Sequence, residues 1–99
     1  MPTGRPSVFR LPAVLVVDTQ YVVPQQGAPY YAIAVAPDAD FPHPTILVTR
    51  DQAAYETALA AEGSDQRVAV TWTHGTRADG RRCQKVIALT VCQREQPTP

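Results

Sequence analysis

Between Leu11 and Thr49 this chain of 99 residues has no lysine or arginine, and nowhere does it hold an apolar run near the about 18 residues that cross a bilayer. The first absence excludes an evenly basic protein. The second excludes a spanning helix and predicts no membrane partner. The N-terminus has a basic start and a short apolar run, but Pro6 and Pro12 interrupt it and no small-residue cleavage site precedes Asp18. No signal peptide is expected, and the location expected is the cytoplasm.

Cysteine is scarce too. Cys83 and Cys92 are nine apart in what reads as one strand, so their Cα atoms should stand about 30 Å apart, which excludes an intrachain disulfide. The odd separation puts them on opposite faces as two free thiols. His43 and His74 have no metal-ligand spacing with a thiol or carboxylate, so no metal is expected. No nucleophile elbow, phosphate-cradling glycine loop or catalytic carboxylate pair is present. The expectation is a protein that is not an enzyme, with no cofactor and no small-molecule substrate.

What the chain does have is a segregated charge. The formal net charge is zero, yet residues 74 to 85, HGTRADGRRCQK, carry Arg77, Arg81, Arg82 and Lys85 against the single acid Asp79. Asp18, Asp38 and Asp40 all fall in the cation-free span. Apolar residues make up 44% of the chain, enough for the core of one domain, expected over 8–94 between disordered tails at 1–7 and 95–99.

Residues 13 to 23, AVLVVDTQYVV, are rich in β-branched side chains and stop at Pro24, which predicts a strand followed by the loop QQGAP. YYAIAVA, 30 to 36, predicts a second strand, with Tyr31, Ile33 and Val35 on the inner face and Tyr30, Ala32, Ala34 and Ala36 on an outer face shallow enough for a ligand to lie upon. TILVTR, 45 to 50, is a third strand. Asp51 is placed to cap a helix carrying Tyr55, Ala58, Leu59 and Glu62 at helical spacing, ending at Gly63. RVAVTWTH and CQKVIALTVC then flank an Asp79-Gly80 turn as a hairpin, with Val68, Val70 and Trp72 on one face and Ile87, Leu89 and Val91 on one face of its partner.

The order βββαββ predicts an all-β protein with one short helix, a five-stranded antiparallel OB-fold-like barrel; the competing folds are other β-rich architectures. On that barrel the first-to-second-strand loop and the fourth-to-fifth-strand loop flank one face. Arginines at the hairpin tip beside a tyrosine-bearing strand combine cations for phosphates with rings on which any base can stack. The expected nucleic-acid-binding residues are Arg77, Arg81, Arg82 and Lys85, with Tyr30 and Tyr21 as stacking rings, while Trp72 is expected in the core with its N–H paired. The bland alternative is that tip arginines only solubilise the hairpin. A non-catalytic protein-interaction module on the same barrel, or an assembly protein joined by strand edges, also fits a neutral chain.

The run GAPYYAIAVAPDADFPHPTILVTRD, Gly27 to Asp51, resembles the gene V type single-stranded-DNA-binding proteins of filamentous phages. Gly27, Pro29 and Tyr30 match their Gly-x-Pro-Tyr motif, and Phe41, Pro42, His43 and Pro44 a proline-containing turn. The resemblance implies a small homodimer that coats single-stranded DNA without sequence preference during phage or plasmid replication. Members bind through a projecting wing before that motif and through a later hairpin. Here the wing region, Val17 to Ala28, is short and has no base, so binding leans on the arginine hairpin, with Arg50 assisting. RNA is the related alternative ligand.

Overall fold

The computed structural model describes residues 8–76 and 80–92. Arg77 and Asp79 of the expected turn, and the expected tails, lie outside them. The elements are β1 (Val8–Val22), β2 (Tyr30–Ala36), β3 (Thr45–Thr49), α1 (Gln52–Ala61), β4 (Arg67–Thr76) and β5 (Arg82–Val91). The strands close into a barrel in the order β1-β2-β3-β5-β4, with β1 returning to β4. All pairings are antiparallel except β3 with β5, so the barrel is mixed and not wholly antiparallel as expected. The protein is mostly β with one short helix, and its strand order is that of an OB-like fold.

Closure depends on β1, which pairs with β4 through its first half and β2 through its second. The register slips by one residue between Leu11 and Val14 and again between Val16 and Asp18. Each extra residue bends the strand and increases its twist, which lets one strand serve two neighbours. The first slip also explains why β1 begins at Val8 and not at 13. Pro12 lacks the N–H that a regular ladder needs, and a bulge is where that loss is tolerated.

The interior is filled by short aliphatic side chains. Ile33, Leu47, Val68 and Val70 are completely buried, with Val14, Val16 and Val35 close to it. Helix α1 begins at Asp51, whose carboxylate accepts from the Ala53 N–H at 3.1 Å, while the Thr49 hydroxyl accepts from the Asp51 N–H at 3.0 Å. It ends before Gly63, which takes the positive φ of 72°. The buried stripe is Ala54, Ala58 and Ala61, whereas Leu59 is 45% exposed. Small side chains let the helix lie close against the barrel, and Tyr55 and Leu59 turn away from the stripe. No helix among the described residues is long and apolar enough to cross a membrane.

Two expected faces change. β5 gains a residue opposite the Thr71–Trp72 step, where Thr71 pairs with Ala88 and Trp72 with Val86. Val86 and Leu89 therefore pack on the core and Ile87 is 55% exposed, because one inserted residue reverses the alternation. The same slip cancels the opposite-face placement expected of Cys83 and Cys92, both free thiols. The alanine row of β2 is not an open shelf either. Ala34 and Ala36 are buried; Ala34 lies in register between Asp18 and Ile46, whose larger side chains shield a methyl group.

Candidate nucleic-acid interface

Inward Ile33 and Leu47 fix what points outward. Alternation puts Tyr30 of β2, Val48 of β3 and Arg50 just beyond β3 on the outer wall. The sole rung between β3 and β5 pairs Val48 with Lys85, adding Lys85 to that wall. On either side of this rung the strands part, and the wall opens into a groove of about 210 Å³. Tyr30, Val48, Arg50, Cys83 and Lys85 line it, with Thr76 from β4. The loop between β1 and β2 closes one side through Pro24, Gln26, Gly27 and Ala28, after a turn in which Gly27 takes a φ of 91°.

Three of the expected residues thus converge, although they come from separate parts of the sequence: Tyr30, Arg50 and Lys85. Arg82 stands at the neighbouring opening of the same seam, with Ile46, Val48, His74, Cys83 and Gln84. Arg81 is exposed beside Gly80, outside both linings, and Arg77 lies outside the described residues. No carboxylate lines either opening among the described residues; Asp51, next to Arg50, lines the adjoining opening with Thr49 and Val86.

Tyr21 goes elsewhere. It pairs with Tyr31, not Tyr30, and its ring lies 5.4 Å from that of Tyr31, which in turn stacks on Tyr55 of α1 at 4.2 Å. The half-buried Tyr31, expected in the core, is the centre of this three-ring ladder. The helix that supplies Tyr55 belongs to a stretch, 51 to 65, that carries Asp51, Glu56, Glu62 and Asp65 without a cation, and Glu62 accepts from Thr19 of β1 at 2.7 Å.

Trp72 half-occupies the core position expected of it, stacked on Phe9 at 4.5 Å. Its indole N–H, expected to be paired, is buried without a hydrogen-bond partner among the described residues. No cluster of three or more His, Cys, Asp or Glu gathers among the described residues to hold a metal. The groove lining adds residues that sequence reading passed over, namely Gln26, Val48 and Thr76. Val48 was within reach, since it alternates with the buried Leu47; Gln26 and Thr76 arrive only through loop and hairpin geometry.

The fold is that of a small OB-like barrel. Comparison with family models, with characterised proteins and with solved structures finds no match to the chain. The likeness to gene V type proteins therefore rests on residues 27 to 51 alone.

Proposed function

We propose that this protein is a non-catalytic, largely sequence-independent single-stranded nucleic-acid binder, with single-stranded DNA as its ligand and RNA as the related alternative. The observation that carries the reading is the convergence of Tyr30, Arg50 and Lys85 on one groove of the outer barrel wall. Cations meet phosphates and draw the strand in; a tyrosine ring offers a face on which any base stacks, which gives affinity without sequence readout. Coating of DNA as a homodimer during phage or plasmid replication is the setting that the Gly27–Tyr30 motif favours. Titration of a labelled oligo(dT) at low and moderate salt, followed by anisotropy, tests it. Salt-sensitive binding that falls in Tyr30→Ala and Lys85→Ala supports the groove, and absence of binding at low salt removes the reading.

A protein-interaction module is the second reading, and one observation favours it. The Tyr21–Tyr31–Tyr55 ladder includes a helix whose stretch, 51 to 65, carries four acids and no cation, and Tyr21 is 57% exposed, which suits a basic protein segment.

A further inference from the structure

His74 lies outside every role given so far, and its surroundings are unusual for a surface histidine. It is exposed on β4, yet its ring is held edge-on by two others, Phe9 and Trp72, each with its centroid 5.3 Å away and inclined at 77° and 90°. Phe9 and Trp72 are themselves stacked across the β1–β4 ladder. The imidazole is thus braced from one side. The residue also lines the opening that holds Arg82, Gln84 and Ile46.

That opening and the Tyr30 groove share Val48 and Cys83, and they flank the one rung, Val48 with Lys85, that joins β3 to β5. The two openings are adjoining halves of the seam, with Tyr30 on its outer wall and His74 on the face of β4 that carries Trp72. Each half has a ring, Tyr30 or His74, and at least one cation, Arg50 with Lys85 or Arg82. A ring and a cation on each side of the rung are the two kinds of group that a base and its phosphate need.

We infer that His74 is a second base-stacking residue, and that a bound single strand runs along the β3–β5 seam from Tyr30 and Arg50 to His74 and Arg82. The inference rests on the nucleic-acid reading above. A braced ring loses little freedom when a base settles on it, so more of the stacking energy appears as affinity.

The test compares two labelled strands of equal length at low salt, oligo(dT) of eight residues and an eight-residue abasic strand with the same phosphates. His74→Ala is expected to weaken the thymidine strand roughly 5- to 100-fold and leave the abasic strand unchanged, because stacking needs a base. His74→Phe should retain binding, and Arg82→Ala should weaken both strands. Equal loss on both strands in His74→Ala would mark the residue as a structural prop and overturn the inference. An unchanged thymidine affinity in His74→Ala, with Tyr30→Ala still weakened, would overturn it too while leaving the Tyr30 groove as the site. If the unaltered protein binds neither strand, the nucleic-acid reading fails and this inference falls with it.

Discussion

The stem of Lys85 lies flat across Gly75 of the neighbouring strand, so that a Cβ at position 75 would overlap its Cδ and stand 2.8 Å from its Cγ. Position 75 pairs with Cys83, one strand-repeat from Lys85, and the missing side chain leaves the channel along which the lysine reaches the groove. Gly75→Ala should therefore displace a flexible side chain and not the backbone. Glycine inside a strand costs about 0.5–1 kcal/mol relative to alanine, which offsets the crowding. Thermal unfolding should shift by no more than about 1 kcal/mol in either direction, while oligo(dT) affinity falls several-fold. Unchanged affinity in a folded variant would show that the lysine's path does not matter.

The two tyrosine faces separate in a paired substitution. Tyr30→Ala should weaken oligo(dT) by about 1–3 kcal/mol, the worth of one stacked base. Tyr21→Ala, in the ladder with Tyr31 and Tyr55 and outside both openings, should leave it unchanged. The reverse ranking would move the site to the ladder.

Salt dependence counts the phosphates. If Arg50, Arg82 and Lys85 each meet one, the logarithm of the binding constant should fall with the logarithm of salt with a slope of about −2, at about 0.7 per phosphate on a single strand. Arg50→Ala should lower the magnitude of that slope by about 0.7. A slope near zero in the unaltered protein would point to apolar or protein-directed binding.

Stability should be concentrated where the barrel is fully closed to water. Leu47 is completely buried at the centre of β3, and Leu47→Ala should cost about 2–5 kcal/mol in chemical denaturation. Asp51→Ala, which removes the helix cap, should cost about 0.5–2 kcal/mol. Tyr55→Ala should cost the stacking on Tyr31, about 0.5–1.5 kcal/mol beyond its lost burial. A cap variant more damaging than the core variant would contradict this ranking.

Much of the architecture was written locally. The alternation of Tyr31, Ile33 and Val35, the aspartate before the helix and the glycine after it, and the hairpin-forming repeats of β4 and β5 are short-range signals, because side-chain direction and capping depend on neighbours a few residues away. They gave the βββαββ order and the boundaries of β2 without help. The bulges were not legible. Whether a strand skips a residue at Pro12, at Val17 or at Ile87 depends on which partner it must pair with and how far the barrel must bend, so Ile87, expected to share a face with Leu89, is exposed while Leu89 packs on the core.

For the candidate site the division is similar. The sequence by itself determined which residues have the right chemistry: a tyrosine after Gly27 and Pro29, Arg50 and a cluster of cations in the last hairpin, and an acidic stretch from Asp51 to Asp65. Only the tertiary structure decided which of them meet. Parallel contact between β3 and β5 brings Lys85 to Val48, and barrel closure gathers Tyr30 and Arg50 with Lys85 at one opening and Arg82 at the adjoining one while sending Tyr21 towards Tyr31 and the helix. Residues more than thirty positions apart have no local rule to join them; barrel closure, driven by burial of the aliphatic core, supplies that rule.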